Sequence, residues 1–202
     1  MSRPDEVQLE KLGMIASELQ EVIAERGYRV DVALNVDPAF GSGQARAWLL
    51  RDLVMDAIDE SASRVGVEFQ TINGGGRELQ TVGNGVIHRF RCKSASRISD
   101  DQIEVLASSD SPLVVEEGGM YAVEPWIFGY ISSSPTMLDE VFIAPILDFV
   151  EGNPGHFDLG RPIQLLGSEL PPKGSGFKPS DEGLEGFGDD DVASGDADSD
   201  SA

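Results

Sequence analysis

Cysteine is nearly absent from this chain. Cys92 is the single one, so no internal disulfide forms and a reducing compartment is the expected setting. Histidine is almost as scarce. His88 and His156 are the two present, no H-E-x-x-H or C-x-x-C spacing accompanies them, and neither a metal site nor a cofactor is read from the sequence. No apolar run approaches the roughly 18 residues that span a bilayer, and the opening MSRPDEVQLEKLG has no apolar signal core. A cytoplasmic protein without membrane association is expected. The motifs of covalent and phosphate chemistry are missing too. Ser132-Ser133-Ser134 precedes Pro135 in a loop rather than a G-x-S-x-G elbow. The glycines at 74–76 and 83–85 lack the G-K-[ST] of a phosphate loop and read as a connection.

Positive charge is scarce beside negative. Fifteen Lys and Arg stand against 36 Asp and Glu, and no base follows Lys178. Residues 180–202 hold nine of those acids, a composition that cannot bury enough apolar surface to offset the entropy of ordering. This division predicts one domain over 1–167, a Pro/Gly linker over 168–179 and a disordered acidic tail over 180–202 that keeps the chain soluble. Without the tail the body still carries 27 acids against 15 bases, which argues against nucleic-acid binding by bulk charge.

The body reads as α+β: two N-terminal amphipathic helices with strands, then an antiparallel β-meander. Residues 6–26 place Leu9, Leu12, Ile15, Ala16, Leu19, Val22 and Ile23 at three- and four-residue steps, with Gly27 as the stop. Residues 28–36 alternate through Tyr28, Val30, Val32, Leu34 and Val36, which predicts a half-buried strand. A second helix is expected over 44–64, burying Trp48, Leu49, Leu53, Ala57 and Ile58. A short strand over 67–72 leads into a glycine-rich loop over 73–85. Further strands follow at 86–93, 102–107, 113–116, 126–132, 140–150, 156–159 and 162–166. Trp126, Phe128 and Tyr130 on one face with Ile127 and Ile131 on the other predict a strand covered on both sides. Pro145 predicts an edge or a bulge.

One segment stands against the acidic background: His88-Arg89-Phe90-Arg91-Cys92-Lys93, with Arg97 nearby. On a strand, Arg89, Arg91 and Lys93 share one face, and His88, Phe90 and Cys92 share the other. Three cations on one pleat need an answer. Acids on neighbouring strands, such as Glu104, Glu124 or Asp139, supply one; phosphate or an acidic partner supplies another. Arg89, Arg91, Lys93 and Arg97 are therefore the candidate partner- or phosphate-binding residues. Cys92 turns toward the core. Asp52 and Asp56 share a helical face and, with Glu68, offer a faint carboxylate-metal pattern.

The stretches R-F-R-C-K at Arg89, W-I-F-G-Y at Trp126, E-V-F-I-A-P-I-L-D-F at Glu140 and G-N-P-G-H-F-D-L-G-R-P-I-Q-L-L-G at Gly152 together resemble a group of uncharacterised actinobacterial and phage-associated proteins. The resemblance covers about residues 86–167, and that group sits beside helix-turn-helix regulators with metallopeptidase-like domains. It implies a partner of a transcriptional regulator or a toxin–antitoxin or phage-immunity component, and brings no catalytic residues with it. The expected function is a non-enzymatic protein-interaction module. The alternatives are a toxin-like nuclease that binds phosphate on the basic strand and a nucleic-acid binder without chemistry.

Overall fold

Helix α1, Glu6–Arg26, begins at a capping box. The Asp5 carboxylate accepts from the Gln8 amide at 2.9 Å, and the Gln8 side-chain oxygen accepts from the Asp5 amide at 2.8 Å. Leu12, Ile15, Ala16, Leu19 and Ile23 then fall on one stripe and are fully buried, each large aliphatic side chain contributing about 1.5–3 kcal/mol. In this computed structural model, residues 1–72, 76–99, 102–107, 122–152 and 154–166 are described. The expected linker, acidic tail and 113–116 strand lie outside them.

The strand expected over 28–36 is a helix, α2, Tyr28–Leu34. Gly27 does not stop α1 in a left-handed conformation; its φ of −59° and ψ of −30° are right-handed helical and lead straight into α2. Glycine is required there by a close approach, because a Cβ would stand 1.9 Å from the Pro135 carbonyl oxygen. The alternating pattern misleads because Val30 and Leu34, four apart, are buried while Tyr28, Val32 and Val36 are exposed. A two-residue repeat contains a four-residue one. A short 3₁₀ turn, Pro38–Phe40, precedes α3, Gly43–Val65, which is capped by Ser42 and ended by Gly66 at φ 68°. The buried face of α3 is Val54, Met55, Ala57, Ile58, Ser61 and Ala62. Trp48 and Leu49, expected inside, are exposed.

The eight-stranded sheet has the order β1-β2-β3-β7-β8-β9-β6, with β10 also paired to β8. Its strands are β1 Glu68–Thr71, β2 Arg77–Gly83, β3 Val86–Ser94, β6 Leu106–Ala107, β7 Ala122–Ser134, β8 Met137–Val150, β9 Gly155–Leu159 and β10 Ile163–Leu166; β4 Ser96–Ser99 and β5 Gln102–Glu104 form a separate pair. The fold is thus mixed α+β, with three α-helices among the described residues and a mostly antiparallel sheet. Two expectations are corrected. The glycine-rich loop contains β2, which closes onto β3 through Asn84 and Gly85, both at positive φ (51° and 75°), as a two-residue Asn-Gly hairpin demands. The sheet is not a continuous meander either, because β3 and β7 run parallel from Val86↔Ala122 to Ser94↔Tyr130.

Two cores flank the sheet. On one face α1 and α3 cover Leu79, Phe90, Cys92, Trp126, Phe128, Tyr130, Val141 and Ile143. On the other, Val105, Ala107 and Phe157 cover Ile127, Phe142, Ala144 and Ile146. This explains why β7 and β8 are apolar on both sides. Pro145 sits where β8 exchanges β10, its partner at Val141–Ile143, for β9, its partner from Ile146 onward. No helix is long and apolar enough to cross a membrane, among the described residues.

Candidate functional site

The antiparallel register of β2 with β3 ends at Glu78↔Arg91, yet β3 continues to Ser94. Beyond Arg91, among the described residues, β3 is paired with β7 alone, through Cys92↔Phe128, Lys93↔Gly129 and Ser94↔Tyr130. A cavity of about 350 Å³ occupies the space that β2 vacates. Arg91 and Lys93 come to it from β3, Arg77 from the first position of β2, and Arg51 from the turn of α3 just before its buried part. Glu104 is the one carboxylate among its described lining residues. Met55, Cys92, Leu106, Ala107 and Tyr130 supply an apolar and hydroxyl wall.

The electrostatics follow from this crowding. The Lys93 ammonium is held below the ordinary lysine value, first by burial and then by the neighbouring charges of Arg91 and Arg51. Burial also lowers Arg91, Glu78 acting in the opposite sense and Arg89 adding to the effect. Among the described residues neither Arg77 nor Lys93 makes an ion pair. Arg51 lies 3.7 Å from the exposed Asp52 carboxylate and stacks over the Trp48 ring, its guanidinium carbon 5.3 Å from the ring centroid. The Tyr130 phenol is pushed up to about 12, chiefly by burial, and burial drives the Cys92 thiol upward as well, so both stay protonated at neutral pH. Cys92 is therefore a neutral core thiol rather than a nucleophile.

The four cations singled out from sequence divide into two pairs. Arg89 is answered within the fold: its Nε donates to Glu78 Oε1 at 2.5 Å, and Gln70 Nε2 donates to the same oxygen at 2.9 Å. Arg97 is likewise engaged, donating from Nε to Glu140 Oε1 at 2.7 Å and from Nη2 to Oε2. That pairing, with burial opposing it, holds the Glu140 carboxyl below its usual range. Arg91 and Lys93 line the cavity with Arg51 and Arg77, two residues that sequence reasoning left out of the cluster; of these four, Arg77 and Lys93 make no ion pair among the described residues. Of the acids expected to answer the pleat, Glu124 receives the Ser2 amide at 2.7 and 2.8 Å, Asp139 accepts from Ser133 at 3.1 Å, and Glu104 alone reaches the cavity. Glu78 was missed because it fell in the presumed loop.

Buried His88 lies between Gln8, whose Nε2 is 3.3 Å from Nδ1, and Ser2, whose carbonyl is 3.3 Å from Nε2. Asp56 pairs with Arg26 at 3.7 Å, and both Asp52 and Asp56 are exposed. The described residues bring no three His, Cys, Asp or Glu side chains together for a metal ion. A second cavity of about 240 Å³ adjoins the first and shares Arg51, Ser94 and Tyr130 with it; Ala47, Trp48, Leu50, Ala95 and Ser132 complete its lining. No family model matches the chain, and the searches of curated proteins and of solved structures found no match to it.

Proposed function

We propose that this chain is a non-enzymatic binding module whose recognition point is an anion pocket formed by Arg51, Arg77, Arg91 and Lys93. One observation carries the reading: in a chain of net charge −21, the described residues that line one cavity include four cations, of which Arg77 and Lys93 make no ion pair among the described residues. Like charges lower one another's stability, and an arrangement of this kind is favourable once a phosphate or carboxylate enters. The guanidinium groups offer forked donors to such a group and the ammonium a point charge. Burial strengthens both, because water competes less for the anion.

The same chemistry serves a free anion and an acidic or phosphorylated side chain of a protein partner, such as the regulator or the toxin–antitoxin or phage-immunity component that the resemblance implies. Thermal unfolding of the full chain with and without inorganic phosphate tests the pocket itself. Ligand that binds only the folded state raises the midpoint by mass action. A rise in wild type that is lost in Lys93→Met and in Arg91→Met supports the proposal, and a midpoint indifferent to phosphate and sulfate overturns it. Affinity capture on the wild-type chain and on Lys93→Met then separates the sources: a protein that wild type alone retains identifies the partner, and a pocket that binds phosphate yet distinguishes no protein leaves the small anion as the ligand.

A further inference from the structure

Helix α2 buries only Val30 and Leu34. Its other large apolar residues line up outside. Tyr28 and Val32 stand four residues apart, and Val36 follows four further on, where the Asn35 amide still donates to the Asp31 carbonyl. That spacing puts the three on one face, and they are 54, 58 and 75% exposed. The 3₁₀ turn beside α2 adds Phe40, which is 49% exposed. Every residue from 35 to 44 is exposed as well. Single apolar residues at a surface are ordinary, whereas an aligned set marks an interaction face. Helix formation does not call for them, since valine is a weak helix former.

Area and charge say what covers this face. An aromatic side chain presents roughly 150–250 Å², so the open halves of Tyr28 and Phe40 with the two valines offer about 400 Å² of apolar surface. A standard interface covers about 800 Å² a side, a little over half of it apolar. The face is therefore the right size for the apolar part of one side. Residues 28–51 carry Arg29, Arg46 and Arg51 against Asp31 and Asp37, a net of +1 in a chain of −21. Two copies repel through their acidic remainder and approach at least cost here.

We infer that this face joins two copies of the chain, α2 packing antiparallel on the α2 of a second copy about a two-fold axis at Val32. Tyr28 of each copy then meets Val36 of the other. The charges at the two ends of α2 agree with that axis. Arg29 and Asp37 are exposed, and neither makes an ion pair among the described residues. Antiparallel packing brings Arg29 of each copy toward Asp37 of the other, and the two-fold makes that pair twice. Exposed pairs of this kind contribute little, so they fix the register while the apolar stripe supplies the affinity. The inference is independent of the anion pocket.

Sedimentation equilibrium of the full chain tests it. A mass near twice 21.7 kDa is expected, and Val32→Glu should weaken association about ten-fold or more, because it sets two carboxylates against each other on the axis. Circular dichroism of that variant should be unchanged, since Val32 is exposed. Arg29→Asp should weaken the dimer about three-fold, and adding Asp37→Arg should recover it. Val32→Cys should oxidise to a covalent dimer, because only a residue near the axis meets its own copy within disulfide reach. Wild type, whose Cys92 is buried, and Val7→Cys on the exposed side of α1 should not. A chain that stays monomeric up to about 1 mM overturns the inference. So does a dimer that Val32→Glu leaves intact and Val32→Cys does not cross-link.

Discussion

Replacing Lys93 by methionine should make the ligand-free protein more stable, not less. The side chain keeps its apolar stem and length while losing its charge. A sphere of 350 Å³ is about 9 Å across, and two like charges at that separation repel by roughly 2 kcal/mol at an effective dielectric of about 20. Lys93 faces Arg91, which is buried, and Arg51 and Arg77, which are half-exposed and more heavily screened. Glu104 returns an attraction of about one such pair. The balance is about 1–2 kcal/mol in favour of Lys93→Met at low salt, or a rise of about 3–6 °C in midpoint for a chain of this size. Urea unfolding at low ionic strength and near 1 M salt measures it; the gain should fall by more than half at high salt, where the Debye length is about 3 Å. The sign of the pH dependence is fixed by the depressed Lys93 value. Between that value and the ordinary one near 10.4, the unfolded chain holds more protons than the folded one, so wild-type stability gains with pH over that window and the advantage of Lys93→Met narrows. Cys92 and Tyr130 act the other way but are common to both proteins and cancel in the difference. A Lys93→Met protein less stable than wild type at both salt concentrations would mean that Lys93 has a counter-charge, and the electropositive pocket would have to be abandoned.

Glu78→Gln should cost about 3–5 kcal/mol in urea unfolding, because Glu78 is 1% exposed and its loss strands Arg89 without a carboxylate; adding Arg89→Met should recover part of the deficit. Gly129→Ala should destabilise by about 3 kcal/mol or prevent folding, read by circular dichroism and thermal unfolding, since the new Cβ would lie 2.3 Å from Cζ of the fully buried Phe142 ring that faces Gly129 across β7 and β8. A neutral outcome would mean that ring does not cover the glycine. Arg97→Gln should lose about 1 kcal/mol at pH 7, discounted for the partial exposure of both partners. Glu140 is lowered by its bond from Arg97, so that contribution is present above the ordinary Glu value of about 4.3 and lost as pH falls through the folded one; the gap between variant and wild type should close in acid.

The long periodic elements were legible from sequence. The stripe of α1 from Leu12 to Ile23 and the two-sided apolar runs of β7 and β8 follow from side-chain spacing alone, because burial imposes that spacing. The failures have local causes. Tyr28–Leu34 repeats at two and therefore also at four, and tertiary packing on α3 with continuity through Gly27 selected the helix. The β2 strand was hidden by its glycines, although Asn84-Gly85 carried a hairpin signal that would have exposed it and brought Glu78 opposite Arg91. The β3–β7 parallel pairing depends on which strands meet across residues 95–121, and no short-range pattern encodes that. The site was half legible. Arg91 and Lys93 stood out by charge, whereas Arg51 and Arg77 lie on other elements and join them only because β2 ends one residue short of Cys92.

The most direct test of the account is a crystal structure of the full chain grown with selenate, located by its anomalous signal. The account predicts a peak in the cavity among Arg51, Arg77, Arg91 and Lys93, within hydrogen-bond reach of at least two of them. Selenate found only at other surfaces, with these four side chains turned away from one another, would contradict it.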